Sequence, residues 1–152
     1  RRQNMHEFLE ELKKDHQEVK DILEKLKSSG GEKSREKLFL ELKKEIQPHM
    51  KAEEKAFYTI LTKEKESKEN ALEGFEEHHV TEMVLKELDK MGKAEERWLA
   101  KMKVFAELVD HHVEEEESKI FQDAQSVLDD EQMDEILEEF NEQKEQLRKK
   151  IK

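Results

Sequence analysis

Histidine and glutamate residues occur in this sequence at a spacing that puts them together on one side of a helix. Three pairs of this kind, each with the glutamate four residues after the histidine, are His49 with Glu53, His78 with Glu82, and His112 with Glu116. Residues four positions apart lie on the same helix face. A fourth histidine, His16, lacks the following glutamate. Imidazole and carboxylate groups without sulfur ligands suit iron, manganese, zinc or copper, so these residues predict a metal site.

The energetic cost of burial supports this interpretation. Each histidine interrupts a series of apolar residues that recurs every three or four positions, which predicts that its side chain points into a helical core. Burying imidazoles and carboxylates without partners is costly for every group that is buried. A multivalent cation that all of them contact would offset this cost.

The two halves of the chain repeat one another around these residues. Residues 49–58 and 112–121 both read histidine, three residues, two glutamates, two further residues, an apolar residue and an aromatic one. His16 and His78 are each followed by leucines at the seventh and tenth positions. Two helical hairpins related by a pseudo-twofold axis would bring equivalent ligands face to face. This symmetry predicts two metal ions rather than one.

Helices have to position these side chains, and the sequence predicts five of them. The expected helices span residues 4–28, 35–63, 70–91, 94–127 and 130–151. The short connections between them predict an antiparallel, up-down-up-down four-helix bundle. We therefore expect an all-α fold that forms a single domain over residues 1–152. Residues 128–152 are expected to form an additional, accessory C-terminal helix with a structural role on the outside of the bundle.

Composition limits the fold and the partners of the chain. Charged residues make up 45% of the sequence, with four glycines, one proline and no cysteine. Scarce turn residues argue against sheets, and the lack of cysteine excludes disulfides and thiolate metal sites. The net charge of −11 predicts no binding to nucleic acid, and the apolar runs are too short for a membrane span. We expect a soluble cytoplasmic protein that is a monomer or a weak homo-oligomer.

Adjacent residues leave two ligand assignments open. His79 follows His78, and His111 precedes His112, so a one-residue difference in helical register would exchange their roles. Glu82 is also expected to be a metal ligand. The internal repeat does not support this assignment, because the counterpart of Glu82 in the first half of the chain is a lysine.

Other polar residues nearby are expected to play no part in coordination. Tyr58 could reach the groups that surround the metal ligands, but a packing role is preferred for it, and His6 is expected to lie on the surface. A run of charged residues is usually a solvated helix face. This expectation applies to Glu54, Glu114, Glu115 and Glu117.

The order of these motifs along the chain resembles the hemerythrin family, and in particular its HHE cation-binding branch. The matching pattern is H…HxxxE…H…HxxxE over about residues 9 to 125. The resemblance implies a four-helix bundle that holds a carboxylate-bridged, non-haem di-iron centre. Its bridging carboxylates would be Glu53 and Glu116, and its terminal ligands would be His16, His49, His78 and His112.

The same resemblance implies the cofactor and the ligand. The cofactor would be two iron ions, Fe2+ or Fe3+, with a solvent-derived bridge, although manganese or zinc also suits the ligand set. The expected partner is dioxygen or another small diatomic molecule. Oxygen-storing hemerythrins have HxxxH in the third helix and HxxxxD in the fourth, where this chain has HxxxE in both. The more anionic ligand set should favour ferric iron, which favours sensing or redox chemistry over reversible oxygen carriage.

Three functions are consistent with the sequence. The first is a protein that binds or senses a small diatomic molecule, or that reports iron or redox status. The second is a di-iron oxidase, a ferroxidase or a peroxide-removing enzyme. The third is a metal-free structural bundle in which the inward histidines and glutamates pair with one another. No substrate-orienting motif stands apart from the metal ligands, so binding or sensing is preferred over enzymatic activity.

Overall fold

The protein is described by a computed structural model that covers residues 5–151 of the chain. Five helical rods make up the fold, and two of them pass through a π-helical turn. The rods are α1 (Glu7–Lys27); α2 (Glu32–Glu53, then the π-helical turn Glu54–Tyr58 and Thr59–Leu61); α3 (Lys65–Lys90); α4 (Glu96–Glu115, then the π-helical turn Glu116–Ile120 and Phe121–Val127); and α5 (Asp130–Lys149). Residues 5–151 contain no strand, which confirms the all-α prediction.

The helices pack as two hairpins with a fifth helix added. Helix α1 packs against α2, and α3 packs against α4, each pair being joined by a short connection that makes its helices antiparallel. Helix α1 also contacts α4, which closes the four-helix bundle. Helix α5 lies mainly against α2 and also contacts α1. The predicted bundle with an additional C-terminal helix is therefore confirmed.

The third helix begins earlier than the sequence predicts. We expected the third helix to begin at residue 70, but α3 already starts at Lys65. The hydroxyl of Ser67 is buried and donates a hydrogen bond of 2.7 Å to the carbonyl of Leu61 at the end of α2. This side chain–backbone bond ties the first turn of α3 to α2, and periodicity of apolar residues does not reveal such a bond.

Two apolar clusters fill the bundle, one on each side of a polar layer. One cluster contains Phe8 and Leu12 from the start of α1, together with Phe57 and Phe121. The other contains Leu23 and Leu26 from the end of α1, together with residues of α2, α3 and α4 that include Trp98. All four bundle helices therefore pass from apolar to polar and back to apolar surroundings. The polar layer comprises His16, His49, Glu53, His78, His112 and Glu116.

The candidate metal centre

The polar layer brings together residues from all four bundle helices. Helix α1 contributes one histidine, α2 and α4 each contribute a histidine and a glutamate, and α3 contributes one histidine. Each of these six residues is at most 8% exposed, and both glutamates are fully buried. Six of the seven residues predicted as ligands from the sequence thus meet in one place.

Ligand atoms in the polar layer form two groups that share one carboxylate. The first group consists of His16, His49, Glu53 and Glu116, and the second of Glu53, His78 and His112. Within each group the candidate ligand atoms all lie within 4.8 Å of one another. Glu53 belongs to both groups, so its carboxylate lies between them.

The histidine Nε2 atoms point toward the middle of the layer. Those of His49 and His78 lie 3.6 and 3.1 Å from Glu53 Oε1. The Nε2 atom of His16 lies 2.9 Å from Glu116 Oε1, and those of His78 and His112 are only 3.1 Å apart. Four ring nitrogens and two carboxylates therefore converge on the middle of the layer.

Several of these inward atoms make no hydrogen bond of acceptable geometry in the described part of the chain, although Nε2 of His16 and Oε1 of Glu116 lie at ion-pair distance from each other. The atoms without a hydrogen bond are the Nε2 atoms of His16 and His49, both carboxylate oxygens of Glu53, and Oε1 of Glu116. Buried polar atoms are nearly always hydrogen-bonded, and leaving one unpaired costs about 1–3 kcal/mol. Their chemistry, imidazole nitrogen and carboxylate oxygen, is that of ligands for iron, manganese or zinc. The residues present therefore fit a bound metal centre.

Outer carboxylates hold each of the four imidazoles by the opposite ring nitrogen, Nδ1. The distances from Nδ1 to carboxylate oxygen are 2.7 Å for His16 with Glu117, 2.9 Å for His49 with Asp15, 2.8 Å for His78 with Glu54, and 2.6 Å for His112 with Glu77. Because an ionised carboxylate only accepts hydrogen bonds, each imidazole donates from Nδ1 and is left with Nε2 toward the centre. Histidines that bind metals in proteins are typically oriented in this way.

These outer carboxylates follow the internal repeat of the sequence. The residue before His16 holds the second histidine of the same hairpin, and the residue before His78 does the same in the other hairpin. The glutamates that follow Glu53 and Glu116 hold a histidine of the opposite hairpin. The expectation of a solvated face was therefore wrong for Glu54 and Glu117. Glu54 and Glu117 occupy equivalent positions in the two halves of the repeat, and this equivalence could have identified them from the sequence.

Tyr58 is a further residue of the centre that the sequence led us to assign to packing. It is fully buried, donates a hydrogen bond to Glu116, and has its hydroxyl 3.4 Å from Nε2 of His112. Its ring stacks on His78 with centroids 5.1 Å apart. A Cβ atom at position 74 would lie 2.8 Å from this ring, so Gly74 is needed for α3 to approach it. Tyr58 thus closes one side of the centre and also contributes a phenol to it.

Each π-helical turn begins within one residue of a glutamate of the polar layer. One follows Glu53 directly and the other begins at Glu116. In the first, three consecutive residues, Ala56, Phe57 and Tyr58, are all buried. Such turns are frequent at functional sites.

The seventh predicted ligand, Glu82, lies outside both groups of ligand atoms. Its carboxylate is 3.2 Å from Nζ of Lys51 and is partly exposed. On the third helix it is Thr81, three residues after His78, that is buried on the inner face. The third and the fourth residue after a histidine both share its helix face, but only one of the two points to the middle of that face. On this helix it is the third residue, Thr81.

The structure places one histidine of each adjacent pair inside the polar layer and the other outside it. His79 and His111 are exposed, whereas His78 and His112 are buried in the polar layer. His6, expected on the surface, is partly buried instead: its Nδ1 accepts from the backbone N–H of Phe8 and caps α1, and its Nε2 lies 2.8 Å from Asp134 of α5. It has no part in the centre.

Charges within the layer show how the metal-free protein is held together. Burial raises the pKa of Glu53, and the adjacent Glu116 carboxylate raises it further. Burial alone would raise the pKa of Glu116, but Glu53 and His16 hold it well below its usual range. Burial alone would lower the pKa of His16, yet the carboxylates of Glu116 and Glu117 raise it to about 10. The proton that His16 retains therefore offsets part of the carboxylate charge when no metal is bound.

Metal binding is consequently expected to strengthen as the pH rises from about 5 to about 8. With a pKa of about 10, His16 keeps its proton through this range and must release it before it can coordinate. Each displaced proton changes the apparent dissociation constant about tenfold per pH unit. Competition titrations with Co2+ at several pH values measure this slope, and an affinity independent of pH would contradict the assignment.

The pair of adjacent histidines on α4 offers a matched test of the site. His112→Ala is expected to weaken metal binding at one position at least tenfold, because a ligand is removed. His111→Ala is expected to leave metal content unchanged, because that side chain is 66% exposed and points away from the layer. Metal per chain, measured by elemental analysis after reconstitution, separates the two. Equal behaviour of both variants would show that the ligand register is wrong.

Comparison with known proteins gives one match. The family model described as the hemerythrin HHE cation binding domain matches residues 7–124. Neither the curated proteins nor the solved structures include a significant match to the chain. The matched residues contain the whole polar layer and end before α5 begins. No helix within residues 5–151 has the length and apolar character required to cross a membrane.

Proposed function

Because the chain belongs to the hemerythrin HHE cation-binding family, we propose that its polar layer binds two iron ions and a small diatomic ligand such as dioxygen. The protein would act as a sensor of that ligand or of iron and redox status. Bound iron supplies the change between Fe2+ and Fe3+ on which such sensing depends. Manganese or zinc are the alternative metals for the same ligand set.

In this proposal, the two groups of ligand atoms correspond to two metal positions. His16 and His49 would hold one ion, and His78 and His112 the other. Glu53 and Glu116 would bridge the two ions, together with a solvent-derived bridge. The observation that carries the proposal is the set of buried, unpaired ligand atoms arranged in two groups around Glu53. Glu82 is left out of the proposed ligand set because of its position beside Lys51.

A cavity next to the four imidazoles is of a size that suits a small ligand. Its volume is about 20 Å³, and its other walls come from apolar side chains and Thr81. A cavity of this size admits one water molecule or a molecule of similar size. The hydroxyl of Thr81 already donates to the carbonyl of Glu77, which leaves only its lone pairs toward the cavity. Size and apolar walls thus favour a diatomic molecule over a larger polar substrate.

Binding or sensing is favoured over turnover by the groups that surround this cavity. Apart from the imidazoles, its lining offers no acid or base; the remaining lining residues are Val19, Ile46, Met50, Thr81, Val109 and Val113. A reaction that consumes the ligand needs a proton donor beside it. Reversible binding has no such requirement.

A second candidate, a di-iron oxidase, ferroxidase or peroxide-removing enzyme, is favoured by Tyr58. Its phenol holds a proton at a hydrogen bond to Glu116, inside the centre. Burial raises the pKa of Tyr58 well above its ordinary value, so the hydroxyl stays protonated near neutral pH. The tyrosine does not line the cavity, which is why this function ranks second.

One experiment tests the proposed function and separates the two candidates. The protein is loaded with Fe2+ without oxygen, the iron per chain is counted, and oxygen is then admitted while the visible spectrum is recorded. Two irons per chain and a spectral change that reverses on removal of oxygen support the sensor. Irreversible oxidation with repeated turnover supports the enzyme, and one bound zinc ion without iron chemistry would contradict both.

A further inference from the structure

Helix α5 is an addition to the part of the chain that matches the family, and it is firmly docked. It begins at Asp130, where the Asp129 side chain accepts from the backbone N–H of Gln132 and the Gln132 side chain accepts from that of Asp129. Its buried face consists of Met133, Ile136 and Phe140, none more than 3% exposed. The sequence led us to expect a purely structural helix here, but two contacts of α5 lead to the metal centre.

The first contact is aromatic. The ring of Phe140 packs edge-on against the imidazole of His49, with centroids 5.7 Å apart and an angle of 82° between the planes. On its other side the Phe140 ring meets Phe8 at 5.5 Å, so its position is fixed by α1 as well. Phe140 therefore restricts the rotation of His49 from outside the bundle.

The second contact is ionic. Nζ of Lys144 lies 3.0 Å from both carboxylate oxygens of Asp15. Oδ2 of Asp15 accepts the hydrogen bond from Nδ1 of His49, at 2.9 Å. Asp15 is only 4% exposed, so this lysine supplies the countercharge that a buried carboxylate requires. A chain of direct contacts thus runs from α5 through Asp15 to a proposed metal ligand.

The other half of the pseudo-twofold arrangement has no such connection. His112 is held by Glu77, whose second oxygen lies 3.7 Å from the exposed His111. Among the residues described by the structure, no lysine or arginine pairs with Glu77. The two halves therefore differ in how their second histidine is fixed, and the difference comes from α5.

We propose that Phe140 and Lys144 are positioning residues for His49, through which the docking of α5 and metal occupancy of the His16–His49 position stabilise each other. This inference rests on the proposed function, in that it requires the polar layer to bind metal. His49 would hold a bound ion through Nε2, which would fix its ring and, through that ring, Asp15 and Lys144. Without metal this Nε2 atom has no partner, so the ring is held from one side only. Since such coupling is reciprocal, α5 reports occupancy of the position that it supports.

The test compares two lysines of the same helix. Lys144→Met removes the contact with Asp15, whereas Lys149→Met removes a lysine that is 74% exposed and pairs only with Glu145. Two quantities are measured in the full chain, with Fe2+ under nitrogen as the probe. They are the two stepwise iron affinities, and the hydrogen exchange of α5 backbone amides with and without iron.

In the wild type and in Lys149→Met, iron is expected to slow exchange in α5 about tenfold or more. In Lys144→Met, one of the two iron affinities should fall about tenfold while the other is unchanged, and iron should no longer slow exchange in α5. Phe140→Leu provides a second variant, in which the same affinity should fall. Circular dichroism of each variant verifies that it is folded.

The outcomes separate this inference from the proposed function. If the wild type does not bind two irons, the proposed function fails. If it binds two irons but Lys144→Met and Lys149→Met behave alike in both measurements, the inference is wrong and α5 is only structural. If Lys144→Met weakens both iron positions equally, α5 stabilises the whole bundle rather than one position, and the inference is likewise overturned.

Discussion

Glu53→Gln is expected to abolish the binding of both metal ions, with a loss of affinity of at least about 100-fold. Glu53 contributes to both groups of ligand atoms, and a glutamine amide cannot supply an anionic bridge between two cations. The variant should fold, because the glutamine has nearly the same size. Moreover, burial and the adjacent Glu116 carboxylate raise the pKa of Glu53, so an amide in its place lessens the charge repulsion within the metal-free layer. Elemental analysis after reconstitution measures the result.

Glu82→Gln is the matched control for this prediction. Glu82 stands in the same sequence relation to a histidine as Glu53 does, but its carboxylate faces Lys51 outside the polar layer. This variant should retain two metal ions per chain with unchanged affinity. Retention of both ions by Glu53→Gln, or their loss from Glu82→Gln, would contradict the arrangement of the centre.

Removal of the metal ions is expected to lower the melting temperature by on the order of 20 °C. A ligand that binds only the folded state at 1,000 times its dissociation constant adds about 4 kcal/mol of stability, so two ions add about 8 kcal/mol. For a domain of this size, each kcal/mol shifts the melting temperature by about 2–4 °C. Calorimetry of the reconstituted protein before and after treatment with a chelator measures the difference.

The alternative of a metal-free structural bundle makes the opposite prediction. If the imidazoles and carboxylates only paired with one another, a chelator would leave the melting temperature unchanged. Glu53→Gln serves as the control, because a variant that binds no metal should be insensitive to the chelator. A large shift in the wild type together with none in this variant assigns the stabilisation to the polar layer.

Most of the fold follows from patterns that are local in sequence. Apolar residues at intervals of three and four predict helices with one buried face, and short connections make consecutive helices antiparallel. The earlier start of α3 at Lys65 escaped prediction, since it depends on the buried hydrogen bond from Ser67 to the end of α2. Both π-helical turns also escaped, because an extra residue in a turn leaves no regular signature in the apolar pattern.

The sequence predicts the residue types of the centre, but not the outer carboxylates that hold its imidazoles. Spacing identifies which residues share a face, which was enough to place the histidines and Glu53 and Glu116 together. It does not distinguish the third from the fourth residue after a histidine, and so Thr81 occupies the inner face where Glu82 was expected. Hydrogen bonds between hairpins, such as that from His16 to Glu117, depend on packing that a single sequence does not reveal.

The relation of α5 to the centre illustrates the same limit. Its amphipathic pattern predicts that the helix packs on the bundle, and the contact with α2 and α1 agrees with this. Nothing in the local sequence distinguishes Lys144 from the other lysines near it. Its partner, Asp15, is 129 positions away in the chain, and only the docked helix brings the two together.

The most direct test of the account is Mössbauer spectroscopy of the protein loaded with ⁵⁷Fe and then oxidised, together with an iron count. The polar layer of six side chains is predicted to hold two irons per chain, and the solvent-derived bridge of the proposal, together with the shared carboxylates, should couple their spins so that the oxidised centre is diamagnetic. A single iron per chain, or two ferric ions whose spectra show no magnetic coupling, would contradict a bridged pair at Glu53 and Glu116.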